Sequence, residues 1–238
     1  MRQSNTYIIL YSAAITVICG GLLAFAAISL KPMQDANIAL EQKKNILSSV
    51  LTLNEEANIE EIYKKKVKGF VIDYSGNVVG QEPEKVIVAA EYKKSPEQRL
   101  LPVYEFRSET EPDKVEFAVM PVYGYGLWNN IWGFVAVKSD FNTIQGVKFQ
   151  HAGETPGLGA RIESEEIQER FKGKTIFDEG MLASVMIQKG EGHDYSSDPH
   201  KVDGMSGATL TGKGVNNMLK DYLACYERYL KKNSVPNQ

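Results

Sequence analysis

The chain is poor in the residues that hold metals. Its 238 residues include two cysteines and three histidines. Cys19 lies in an apolar N-terminal run and Cys225 in a helical pattern near the other end, so they are not expected to meet. There is no CxxC pair, no zinc-ligand spacing and no disulfide framework, and no metal site is expected. An iron–sulfur cluster held by this chain alone is excluded on the same ground. Gly-x-Gly-x-x-Gly is absent, which argues against a dinucleotide fold. An excess of one charge is also missing: 27 basic residues face 30 acidic ones, for a formal net charge of -3. With no basic stripe there is no footprint for nucleic acid. Lys64–Lys66 and Lys231–Lys232 read as solvated helix faces. No internal repeat or low-complexity tract interrupts the chain.

Charge is absent altogether from Gln3 to Leu30. Within that stretch Tyr7–Leu30 is mostly apolar and exceeds the roughly 20 residues that cross a bilayer as a helix. Ala24-Phe25-Ala26 resembles a signal-peptidase site, but the run is longer than the about 7–15 residues of a signal h-region. An uncleaved anchor is the expectation. Arg2 precedes the span and Lys31, Lys43 and Lys44 follow it, so counting charges alone puts the rest of the chain on the cytoplasmic side. That count is weak, because large domains translocate largely regardless of charge. Gly20, Gly21, Ala24 and Ala27 offer a small-residue face for another membrane helix.

Hydrophobic spacing predicts a helix over 35–53 and a short one over 55–65. Residues 67–80 read as strand, turn at Ser75-Gly76-Asn77, strand. Further strands are predicted over 86–91, 101–106, 115–123, 131–138 and 144–151. A helical pattern covers 156–171, strands follow at 174–177 and 183–189, and 193–204 is a polar loop. In the last helix, predicted over 213–232, Val215, Met218, Leu219, Tyr222, Tyr226 and Tyr229 share one face. The expected fold is α+β, with an antiparallel or mixed sheet and flanking helices behind a single membrane helix. The domain reading is an anchor over 1–30, a juxtamembrane helical region over 31–66 and a globular domain over 67–238.

Three segments have the composition of a binding site. SGATLTG (206–212) gathers three hydroxyls and three small residues just before a helix, where unpaired amides and the positive dipole end favour an anion. Thr211 as an ordinary N-cap is the plain alternative. HAGETPGLGAR (151–161) forms a tight, exposed loop against which a planar ligand can lie, though such turns are common without one. GYGLWNNIWGF (124–134) supplies Tyr125, Trp128 and Trp132, more often core or edge packing than a cofactor surface.

Together these segments carry a resemblance. SGAT preceded by Asp203-Gly204 resembles the flavinylation motif of the covalent FMN-binding domain family. ETPGLG at 154–159 and GLW…GF at 126–134 are similar to that family's other two marks, in the same order. With QKKNIL at 42–47 close after the span, the whole chain resembles the family of C-type subunits of the Na+-translocating NADH:quinone oxidoreductase. The resemblance implies FMN bound covalently through its phosphate to Thr209. It implies that Asp203, Gly204, Ser206, Gly207, Ala208 and Thr209 form the motif read by a flavin transferase, which takes FAD, uses magnesium and releases AMP. It implies that Glu154, Thr155, Gly157, Leu158 and Gly159, with Trp128 at the border, line the isoalloxazine. Thr211 as a phosphate hydrogen-bond donor, Lys213 as a nearby cation and Lys189 as a stabiliser of negative charge on the reduced ring are physical additions to that set.

The resemblance further implies an electron relay between NADH and ubiquinone, coupled to sodium export. Its partners would be the complex's membrane subunits and its NADH-oxidising flavoprotein. It puts the globular domain on the periplasmic side of a bacterial inner membrane. No residue outside the flavin is expected to be catalytic. Two other readings stay open: the G-type subunit of the related ferredoxin:NAD electron-transport complex, and a non-catalytic anchored interaction domain. A hydrolase with Ser206 as nucleophile requires a G-x-S-x-G elbow, but Gly204–Ala208 ends in alanine and Val202–Gly204 is a poor preceding strand. No carboxylate cluster in the span suggests a sodium site.

Overall fold

The structure is a computed structural model that describes residues 4–54, 56–108, 111 and 114–234. The chain divides into two compact units, residues 1–43 and 44–238.

The first unit is most of helix α1, Asn5–Ser48. Its best 18-residue window has a mean hydropathy of 2.3, and none of that window is buried. It is the one described helix long and apolar enough to cross a membrane. The separate helices read for the span and for residues 35–53 are one continuous element with Pro32 inside it. Proline here removes one amide donor, a local loss within a helix of 44 residues.

In the second unit, the end of α1 contributes Asn45, Ile46 and Leu47, all buried. Helix α2 (Ile59–Lys66) follows, capped where the Asn58 side chain accepts from the Glu61 amide. Six strands then build one antiparallel sheet: β1 (Val67–Ile72), β2 (Val78–Val79), β3 (Leu101–Arg107), β4 (Val115–Tyr125), β5 (Asn130–Lys138) and β6 (Ile144–His151), in the order β2-β1-β3-β4-β5-β6. The β1–β2 turn works because Gly76 takes φ +78° and the Asp73 carboxylate accepts from the Ser75 and Asn77 amides. Strands β3, β4 and β5 alternate between two cores, while β6 gives its buried residues to one of them. Tyr104, Phe106, Val119, Phe134 and Ala136 pack with Ile46 and Leu47 on one face. Val103, Met120, Val122, Val135 and Phe149 pack on the other face with the last helix, α5 (Thr209–Ser234). All six residues predicted to share a face of α5 are buried there.

Between β2 and β3, residues 86–91 are not a strand. They give a short helix, α3 (Val88–Glu91), because Ile87 turns to solvent while Glu91 turns inward and accepts from the Leu100 amide. The helical pattern over 156–171 is broken into a 3-10 turn, Gly159–Glu163, and helix α4 (Glu165–Glu169), with Ser164 capping the second. The predicted strands at 174–177 and 183–189 survive only in part, as β7 (Phe177–Asp178) and β9 (Met186–Ile187), and β8 (Met181–Leu182) lies between them where no strand was predicted. The polar loop contains β10 (Lys201–Val202), which pairs parallel with β9. The architecture is α+β, a single apolar N-terminal helix followed by a globular domain of sheet and flanking helices.

Candidate functional site

The three segments singled out in the sequence meet at the N-terminus of α5, around one carboxylate. Glu154 is 4% exposed. Its Oε1 accepts from the amides of Trp128 (2.9 Å) and Asn129 (3.4 Å). Its Oε2 accepts the hydroxyl proton of Thr211 at 2.6 Å. Burial pushes this carboxyl up, but the Thr211 hydroxyl and the amides of Trp128, Asn129 and Leu127 outweigh it, and the group stays ionised below the ordinary range.

Two glycines make room for that carboxylate. A Cβ on Gly126 would lie 2.5 Å from Glu154 Oε1. A Cβ on Gly159 would lie 2.6 Å from Glu154 Oε2 and strike Thr211 Oγ1 as well. The helix is seated by further close contacts, for a Cβ on Gly214 would meet the Tyr125 carbonyl. On its other side the Asn216 side chain makes two hydrogen bonds to the Ile187 backbone, at 2.7 and 2.9 Å.

Helix α5 starts at Thr209, four residues earlier than its pattern predicts, so the motif threonine is the helix's first residue. Ala208 stands at the capping position and has no side-chain oxygen to offer. Among the described residues no side chain caps this end; the first amide with a partner is that of Gly212, bonded to the Ala208 carbonyl. Thr211 is therefore not the cap, and in this structure its hydroxyl donates to Glu154. It is 1% exposed and its proton belongs to Glu154. Glu154 itself lies beneath the surface that it organises.

Above this seat the surface is apolar and open. Trp128 is 69% and Leu158 41% exposed, and Tyr125, Leu127, Met186 and Leu210 are exposed too. Leu158 leans over the motif, since a Cβ on Gly207 would lie 2.8 Å from its Cδ2. Gly207 (φ +73°) and Gly157 (φ +73°) both occupy the left-handed region, which fits glycine in these two turns. Thr155 is exposed, and its carbonyl accepts from the Leu158 and Ala160 amides. Lys213 and Lys189 are exposed, the latter beside Gln188 and Gly190, whose carbonyls back onto Gly204.

The motif's other end is held by an ionic network that sequence reasoning missed. Glu191 accepts from Arg161 at 2.9 and 2.5 Å, from Arg170 at 3.3 Å and from the Ser206 amide at 3.0 Å. The paired Arg161 guanidinium holds the Glu191 carboxyl down at about 2, helped by the Ser206 amide and Arg170. Arg170 also donates to the carbonyls of Asp203 (3.2 Å) and Gly204 (2.5 Å). Asp203 turns inward, accepting from the amides of Gly192 (2.7 Å) and Gly204 (3.0 Å). Most of these partners lie 11 to 34 residues apart along the chain, and no local pattern marks them. His151 accepts from the Glu154 amide, His200 bonds the Thr175 carbonyl and His193 lies 3.7 Å from Asp203, and among the described residues none of them hydrogen-bonds the Ser206 hydroxyl. Among the described residues no cluster of His, Cys, Asp or Glu is arranged to hold a metal ion.

Comparison with known proteins places these segments in a family. The FMN-binding domain profile matches residues 126–224. The Na(+)-translocating NADH-quinone reductase C-type subunit from Haemophilus ducreyi is 33% identical over 220 residues, spanning 87% of this chain and 84% of that protein. Its namesake from Pseudomonas aeruginosa is 31% identical and spans 93% of this chain and 92% of its own. The crystal structure of the same reductase component from Parabacteroides distasonis superposes with a TM-score of 0.74 at 33% identity, covering 84% of this chain and 96% of that one.

Proposed function

The chain belongs to the family of C-type subunits of the Na(+)-translocating NADH-quinone reductase, and from that premise we propose that it carries FMN as a phosphoester on Thr209 and relays electrons within the complex. What supports the reading most is that α5 opens on Thr209 with uncapped amides and an alanine at its cap. An anion there meets unpaired N–H groups and the positive end of the helix dipole. Leu158 stands exposed against Gly207 of the motif, and Trp128 is exposed on the loop whose amides bond Glu154, both as apolar surfaces for a flat ring. FMN, when bound, supplies the electron carriage, and the protein sets its position and surroundings.

In this reading each segment has a task. Ser206, Gly207 and Ala208 present the Thr209 hydroxyl at an exposed turn. Glu154, with Thr155, Gly157 and Gly159, fixes the loop that bears Leu158. Lys189 and Lys213 add positive charge from the periphery. Attachment exchanges the Thr209 hydroxyl proton for the phosphoryl group of FMN, with FAD as donor, AMP as leaving group and a magnesium-dependent transferase as partner. Asp203 and Gly204 then serve recognition indirectly, by holding the motif backbone in shape. The apolar helix anchors a domain on the periplasmic side, so that 1–30, 31–66 and 67–238 act as anchor, connector and flavin domain. Other subunits oxidise NADH and reduce quinone, and sodium export is coupled to that flow.

The test is intact mass and in-gel flavin fluorescence of the chain produced with an active transferase, beside Thr209→Ala. Mass added by one FMN less one water, absent from the variant, is expected. An unmodified chain, with the transferase active on a control substrate, would remove the relay reading.

A further inference from the structure

Behind the Asp203-Gly204 end of the motif a cleft of about 470 Å³ opens, within the size range of small-molecule sites. Four cations line it: Arg170, Lys172, Lys174 and Lys201. Two carboxylates, Asp194 and Asp203, also face it. Both spend acceptors on backbone amides, Asp194 on Ser196 and Asp203 on Gly192 and Gly204. The lining is thus net positive in a chain whose net charge is -3.

Lys174 is the informative member. It is 8% exposed, and its ammonium donates to two carbonyls, those of Tyr195 (2.5 Å) and Asp198 (2.7 Å). An ammonium has three protons to donate, and among the described residues the third has no acceptor and no carboxylate forms an ion pair with it. Hydrogen bonds from Ser196 hold the Asp194 carboxyl below its ordinary range and the charge of Lys174 helps, yet that carboxylate makes no hydrogen bond to the ammonium. Burying a cation with a carboxylate only at longer range is costly, and an anion entering from the cleft offsets that cost. The rim cations are held by exchangeable surface pairs, Lys172 to Glu169 at 3.4 Å and Lys201 to Asp198 at 2.8 Å. Such exposed pairs contribute little and yield readily to a better anion. His193 and Tyr195 add two rings at the mouth, with centroids 6.2 Å apart and planes 43° from each other.

We propose that this cleft binds a phosphomonoester, with Lys174 as the central donor, Lys172 and Lys201 at the rim, and the His193–Tyr195 pair as a surface for the ring of a nucleotide. The site is distinct from Thr209, which does not line the cleft. Its occupant touches the wall formed by Asp203 and so bears on the segment that presents Thr209.

The experiment is calorimetric titration of inorganic phosphate and of AMP into the full chain in detergent at low ionic strength. A Thr209→Ala background keeps flavin phosphate out of the measurement. Saturable binding of both probes is expected, weakened about tenfold or more in Lys174→Gln, as loss of one charge-assisted hydrogen bond implies. Because Lys174 also braces the 195–198 loop, the double variant Lys172→Gln/Lys201→Gln is measured too, and a loss of several fold is expected there. Tighter binding of AMP identifies a nucleotide as the source of the phosphate, and equal binding identifies a phosphoryl group alone; either supports the site. No saturable binding of either probe, or affinities unchanged in both variants, overturns it.

Discussion

The hydroxyl of Thr211 gives its proton to Glu154 Oε2 at 2.6 Å, across 57 residues of chain. Through that bond the first turn of α5 is tied to the loop that bears Leu158. The same carboxylate reaches on to the amides of Trp128 and Asn129. One buried charge thus sets the mutual position of three segments whose exposed side chains face a common space.

Removing the Thr211 hydroxyl leaves a buried carboxylate one donor short. Thr211→Val is expected to lower stability by about 1–3 kcal/mol, while Thr211→Ser retains most of it. Urea unfolding of the two variants checks this, and equal stability of Val and Ser forms would show that the bond contributes nothing.

Gly214→Ala sets two effects against each other. Alanine in a helix interior favours folding by about 1 kcal/mol over glycine. Its Cβ, however, would strike the Tyr125 carbonyl and lie 3.0 Å from Gly126 Cα. Both obstacles are backbone, so overpacking of about 1–3 kcal/mol outweighs propensity. A lowered melting temperature is expected, and a raised one would mean that α5 shifts without cost.

Acid stability depends on Glu191 and Glu154. Both carboxyls are depressed in the folded state, Glu191 from 4.5 to about 2. A depressed carboxyl contributes stability that is present above its unfolded value and lost as pH falls through its folded one. The Glu191 contribution therefore disappears between pH 4.5 and about 2. Glu191→Gln should flatten the acid limb of a stability–pH curve over that window and leave its slope above about pH 6 unchanged. A parallel downward shift at every pH would assign Glu191 a packing role instead.

Trp128 is exposed, so Trp128→Ala should change stability by no more than about 0.5 kcal/mol. If the ring of a bound flavin lies beside it, the same change alters flavin emission and visible absorbance in the loaded chain. Identical spectra with and without the indole would remove Trp128 from the flavin's surroundings.

Much of this was legible locally. The uncharged stretch from Gln3 to Leu30 requires an apolar helix by composition alone. Alternation in β4 and β5 is strong because each face of the sheet has its own core, and both strands feed both cores. The buried stripe of α5 follows from its spacing in the same way. Residues 86–91 misled because a short apolar run has no periodicity to separate strand from helix, and the inward turn of Glu91 toward Leu100 decided the matter.

Residue order alone establishes that SGAT, ETPGLG and GLW occur in one chain behind an apolar span. What their polar residues do is settled by packing between segments far apart in the chain. Thr211 and Thr209 stand two positions apart, about 200° around a helix, so one turns into the core toward Glu154 and the other is left half-buried at the helix start. Nothing in the local pattern tells these two threonines apart, because the carboxylate that separates them arrives from a distant loop and a buried charge has to be satisfied wherever the fold brings it.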